Sequence, residues 1–195
     1  LAVFFVWPVA ALVARGFVVD GSVSLTGVEA VLTAPRTWRI LAQTLTQAVA
    51  GTAASLLVGL PGAYLLYRCR FPGRRLLRAV VAIPFVLPTV VVGVAFQSLL
   101  VPSGLLGPLG LEESLVAIVA ALVFFNYSVV VRTVGVLWSR LDPRSEDAAR
   151  SLGAGRLRVL ATVTLPALAP AIASAAALVF LFCATAFGIV MVMGG

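Results

Sequence analysis

Five stretches of this chain are apolar runs almost free of charge, and the segments between them hold most of the polar punctuation. A bilayer core about 30 Å thick takes about 20 helical residues at 1.5 Å each, so runs of this length are read as crossings. The first runs from Leu1 to Val19 and is clear of charge only as far as Arg15. The others are Ile40–Tyr67, Ala79–Val101, Leu115–Trp138 and Val159 onward to Gly195. The chain begins without Met, and the first run has neither the basic start nor the small-x-small cleavage pattern of a signal peptide. It is therefore read as a shortened first helix.

The pattern also predicts irregularities. Ile40–Tyr67 is longer than a crossing needs, so it is expected to tilt or project, with a kink where Gly59, Pro61 and Gly62 weaken the helix. Pro84 and Pro88 are expected to kink the third span. Asp20–Arg39 mixes Gly, Ser, Thr and Pro with charge and reads as an external loop holding a short interfacial helix. This divides the chain into a first helix with its loop, 1–39, and a helical core, 40–195.

Arginine fixes the expected orientation. Arg68, Arg70, Arg74, Arg75 and Arg78 form an acid-free cluster, and Arg132–Arg158 is the second basic segment. Loops on the cytoplasmic side are enriched in such residues. Both segments are therefore placed inside and the loop with Glu112 and Glu113 outside, which puts the N-terminus of a multi-pass membrane protein in the cytoplasm.

Composition agrees and removes other chemistries. The chain of 195 residues is 62% hydrophobic and 11% charged, with seven acids and no His. All fourteen basic residues are Arg. Without Lys there is no phosphate-gripping P-loop lysine, and without His there is neither a His-based triad nor a His-ligated metal site. Any nucleotide energy must be bound by another chain. The net charge of +7 reports membrane orientation rather than nucleic-acid binding. Cys69 and Cys183 are isolated and read as unpaired thiols, so no metal site is expected.

One polar stretch stands apart. Glu146 to Pro166, EDAARSLGAGRLRVLATVTLP, lies between two membrane-length runs on the side assigned to the cytoplasm. Leu141-Asp142-Pro143 has the form of a helix start, with Asp capping free amides and Pro in the first turn. Glu146 and Asp147 fall near the positive helix end, and Gly153 and Gly155 can close it in a left-handed cap. A helix of about three turns is expected, with small residues Ala148 and Ala149 on a face that lets another surface approach. A second helical stretch from Arg156 through Val163 is expected to stop or kink at Leu165-Pro166. The plainer reading is an amphipathic connector with arginines snorkelling at the lipid surface.

Asp147-Ala148-Ala149, three residues, Gly153, nine residues and Val163-Thr164-Leu165-Pro166 resembles the EAA motif of binding-protein-dependent ABC importer permeases, E-A-A-x3-G-x9-I-x-L-P. Asp147 replaces the family Glu and Val163 the family Ile, while Glu146 offers a second acid one residue early. Residues 40–195 resemble the MetI-like permease core, and IPFVLPTVVVGVAF with FFNYSVVVRTVGVLW resembles the iron(III) and thiamine branch. FGIVMVMGG resembles the end of the fifth helix in the first half of a fused two-domain permease.

The resemblance implies an all-α polytopic bundle of the bacterial inner membrane that is not an enzyme. It implies ATPase coupling through Glu146, Asp147, Ala148, Ala149, Gly153, Leu165 and Pro166. The implied partners are a cytoplasmic ABC ATPase dimer that binds ATP, an external solute-binding protein, a second permease half and membrane lipid, with iron(III) or thiamine as the favoured solute.

Gln97, Asn126 and Tyr127 are the candidates for a translocation path, because polar groups within spans face protein or water-filled space. For Asn126, bonding between helices is favoured over lining the route. Arg132 is expected to snorkel, and Ala171, Ser174, Ala175 and Ala176 to allow close helix packing. The rival reading is a secondary transporter or channel with no ATPase partner. It lacks an intramembrane acid to serve as a proton relay.

Overall fold

The computed structural model describes residues 2–19, 22–23 and 26–194. It is helical throughout, apart from a two-residue antiparallel ladder that pairs Val18–Val19 with Ser22–Val23. The chain forms two compact units, Leu1–Leu45 and Thr46–Gly195.

The first unit holds α1 (Ala2–Phe17), the ladder, α2 (Thr26–Thr33) and the start of α3 (Pro35–Tyr67). At 16 residues α1 reaches about 24 Å, short of an apolar bilayer core. The segment expected as a loop is largely helical: α2 occupies part of it, and α3 begins at Pro35, where the missing N–H costs nothing. Asp20, Gly21, Ser24 and Leu25 lie outside the described residues.

The second unit is the bundle. It contains the rest of α3, then α4 (Arg74–Val86), α5 (Thr89–Leu100), α6 (Leu115–Arg140), α7 (Pro143–Ser151), α8 (Arg156–Val159), α9 (Leu165–Ala184) and α10 (Phe187–Met193). Among the described residues, three helices are long and apolar enough to cross a membrane: α3, α6 and the continuous stretch Arg156–Ala184. The expected third span is not one rod, because α4 and α5 meet at 99°.

The break has a local cause. Pro88 has no N–H and disfavours helical backbone at the residue before it. Leu87 accordingly sits at φ −71°, ψ 142°, and its own N–H is given to the Pro84 carbonyl. Pro61 does not interrupt α3, which continues to Tyr67.

The core is built from small residues that let helices close up. Along α3, Gly51, Ser55, Gly59 and Ala63 recur every four residues, and all are buried. A Cβ at Gly59 would lie 2.6 Å from Val130 Cβ on α6, so only glycine fits this crossing. Lipid tails are as apolar as leucine, so such close packing is what draws helices together in a membrane. Ala121, Leu122, Val130 and Val134 of α6 join Leu168, Ala175, Val179 and Cys183 of α9 in the same cluster. Of the small residues expected to pack on α9, Ala175 is fully buried and Ser174 is exposed.

Candidate functional site: the α7 helix and its anchor

Helix α7 forms where the capping pattern places it. Asp142 accepts the Arg144 N–H at 2.9 Å, and Pro143 occupies the first turn. At the other end Gly153 has φ +84°. The Gly153 N–H bonds the Arg150 carbonyl at 2.9 Å, and the Ala154 N–H bonds the Ala149 carbonyl at 3.1 Å. This pair of bonds is the Schellman arrangement, which satisfies carbonyls that a helix end leaves free. The helix has nine residues, slightly under the three turns expected.

The two adjacent acids have opposite environments, because successive helical residues point about 100° apart. Glu146 is the buried residue of α7. Its Oε2 accepts Arg68 Nη2 at 2.8 Å and Arg150 Nη2 at 3.4 Å, and its Oε1 accepts the Thr164 hydroxyl at 3.0 Å. Asp147 has 67% of its side chain exposed and, among the described residues, pairs only with Arg150, one turn along the same helix. Ala148 is exposed and Ala149 half-buried, so the D-A-A face is turned mostly outward. Leu152, at 90% exposure, continues that outward surface.

The carboxylate of Glu146 ties α7 to two other elements. Arg68 directly follows α3, and Thr164 ends a five-residue π-helical turn, Leu160–Thr164. The helix beginning at Arg156 does not stop at Leu165-Pro166, where a stop or a kink was expected. It runs through the π turn into α9, with Pro166 in the first turn of α9. Wider turns of this kind let a helix absorb an irregularity without ending. Thr162 bonds back to the Arg158 carbonyl at 2.7 Å, whereas Thr164 reaches across to Glu146.

Neither Arg68 nor Thr164 was singled out by sequence. Arg68 is the first member of a basic cluster, and Thr164 occupies a variable position of the motif, so nothing local marks either as a partner of residue 146. Leu165 and Pro166 serve as the start of α9 and make no polar contact with α7 among the described residues. A cavity of about 1290 Å³ opens beside the cluster, bordered by Arg68, Glu146, Arg150, Thr164, Arg156 and Trp138.

The three path candidates have different surroundings. Asn126 is fully buried; its amide donates to the Leu122 carbonyl at 3.0 Å and to Cys183 Sγ on α9 at 3.5 Å. That is the contact between helices favoured for it. Tyr127 borders a shallow apolar recess of about 470 Å³ with Ala54, Val58 and Phe124. Gln97 is half-buried on α5. Arg132 is exposed, as a snorkelling side chain would be. Among the described residues no group of acids and cysteines could hold a metal ion.

Comparison with known proteins places this architecture. The chain is 36% identical to the sulfate transport system permease protein CysT of Salmonella typhimurium over 171 residues, which cover 85% of the chain and 62% of that protein. It is 36% identical to the molybdenum transport system permease protein ModB of Escherichia coli over 160 residues, 77% of the chain and 68% of that protein.

Two solved structures share the fold. A bacterial ABC transporter involved in the import of the acidic polysaccharide alginate matches all of the chain and 73% of its own, with a TM-score of 0.76 at 15% identity. The MetNI methionine ABC transporter in an inward-facing conformation matches 84% of the chain and 78% of its own, with a TM-score of 0.64 at 21% identity.

These relatives overturn the expected likeness to the iron(III) and thiamine branch. The stretches that suggested it supply packing: Phe85 meets Phe125 and Phe96 meets Phe124, at ring centroid distances of 5.6 and 5.5 Å. Residues chosen to fill a helix interface carry little information about cargo. The family model of binding-protein-dependent transport system inner membrane components matches residues 51–195, which hold the bundle and the Glu146 cluster, and the chain belongs to that family.

Proposed function

We propose that this chain is the membrane-spanning permease part of an ABC importer for a tetrahedral oxyanion of the sulfate or molybdate class, with α7 as the helix that docks on a cytoplasmic ATPase. The observation that carries the reading is α7 itself: a capped helix that turns Asp147, Ala148 and Leu152 outward while a neighbouring acid holds it to the bundle. The small side chains of Ala148 and Ala149 let another protein surface approach this side of the helix closely. Two ATPase copies, a second permease half and an external binding protein complete the assembly, with the N-terminus in the cytoplasm. Closure of the ATPase pair would move α7, and with it the spans, as rigid bodies between inward-open and outward-open states.

The oxyanion class rests on the CysT and ModB likenesses. The spans are compatible with it, since no Asp or Glu occurs within 40–67, 79–101, 115–138 or 165–184 to repel an anion. The test is a detergent pull-down of the full-length gene product as wild type and Asp147→Arg, with mass spectrometry of bound proteins and uptake of labelled sulfate and molybdate. An ATPase bound to wild type and lost from the variant, with uptake of either anion, supports the proposal. A well-folded wild type that retains no ATPase would overturn it in favour of an ion-coupled carrier.

A further inference from the structure

We infer that Glu146 is the positioning residue that makes α7 and the spans move together, acting through Arg68 at the end of α3 and Thr164 before α9; this rests on α7 being the ATPase-docking helix. A helix of nine residues has little stability of its own, so its rigidity comes from what it is packed on. Glu146 is its buried residue. The covalent link to α8 is the short segment Leu152 to Gly155, and it makes no connection to α3. The chain joins α7 directly to α6 through Leu141 and Asp142, but α3 lies 78 residues earlier at the Arg68 contact and has no such direct link. Among the described residues, the Arg68–Glu146 ion pair is the polar bond between α7 and the end of α3.

The geometry suits a joint. Both carboxylate oxygens are used, one by each flanking element, so a shift of α7 pulls on α3 and on the root of α9 at once. A charge-assisted bond in a half-dry site is stiffer than a neutral one. The π turn contributes by presenting Thr164 sideways, and such turns cluster at functional positions. Asp147, two-thirds exposed and paired with Arg150 of the same helix, stays on the outward face where the partner would dock.

The test reconstitutes the full-length permease in liposomes with the ATPase captured by the pull-down above. Three forms are compared: wild type, Glu146→Gln and the exchanged pair R68E/E146R. Retention of the ATPase is measured separately from sulfate or molybdate moved per ATP hydrolysed. Glu146→Gln is expected to retain the ATPase while transport per ATP falls about tenfold, the difference between a charge-assisted and a neutral contact. The exchanged pair is expected to recover most of that loss.

Full coupling in Glu146→Gln would overturn the inference and leave the docking role of α7 standing. Loss of ATPase binding in Glu146→Gln would also overturn it, since the residue would then serve docking rather than transmission. Should Glu146→Gln fail to insert, the exchanged pair decides alone: coupled transport supports the joint, and uncoupled transport in a folded protein refutes it. A wild type that binds no ATPase counts against the importer reading itself.

Discussion

Replacing Gly153 by Ala separates backbone conformation from bulk at the end of α7. The residue sits at φ +84°, and a Cβ added there meets nothing within 4 Å. Alanine would therefore clash with no neighbour and pay only for a left-handed backbone, about 1–2 kcal/mol. That amount is felt by the local fold, because the Schellman bonds from Gly153 and Ala154 close a helix of nine residues. Converted to populations, the open form of the helix end should rise about 5- to 30-fold. Asparagine, which tolerates this conformation, should restore most of the closure despite its larger side chain.

The assay is amide hydrogen exchange on the purified full-length permease without its partner, so that docking plays no part. The amides of Leu152, Gly153 and Ala154 should exchange faster by that factor in Gly153→Ala and change little in Gly153→Asn. Equal protection in wild type, Ala and Asn forms would show that the left-handed cap does not hold the helix end. Loss of protection in both variants alike would mean that side-chain bulk, not φ, is what the site rejects.

Gly59→Ala places a Cβ 2.6 Å from Val130 Cβ and 2.7 Å from its Cγ1. Overpacking of this kind costs about 1–3 kcal/mol, more than the ~1 kcal/mol that alanine gains in helix propensity. Thermal unfolding in detergent should shift down by several degrees, whereas Gly155→Ala, with nothing within 4 Å, should melt like wild type; equal melting of the two variants would remove the close α3–α6 crossing. Asp142→Ala removes the acceptor of the Arg144 N–H and should cost about 1 kcal/mol of α7 stability, read as faster exchange of the first-turn amides with α6 unchanged.

How much was legible in the chain follows from the range of the forces involved. The caps of α7 depend on residues within one turn, so Asp142, Pro143 and Gly153 could be assigned from their order alone, and the structure places them so. Apolar run length gave α6 and most of α3 and α9 directly. The same rule failed where one residue alters the backbone: Leu87 and Pro88 turn an unbroken apolar run into two short helices at 99°. At Leu165-Pro166 the pattern allowed a stop or a kink, and the helix from Arg156 runs on through a π turn into α9, with Pro166 in its first turn.

The sequence by itself determined a membrane-embedded helical chain, the place and capping of α7, and two acids at its start. It could not rank those acids, since both lie within the same turn and either could face the bundle. Tertiary packing decided that Glu146 turns inward and Asp147 outward, by bringing Arg68, 78 residues away, and Thr164, 18 residues away, to one carboxylate. An ion pair acts over a few ångströms of space and is blind to distance along the chain, so no local pattern could announce these partners. The same reason explains Gly59: its lack of a side chain reads as helix weakness in isolation, and becomes a requirement only when Val130 arrives from α6.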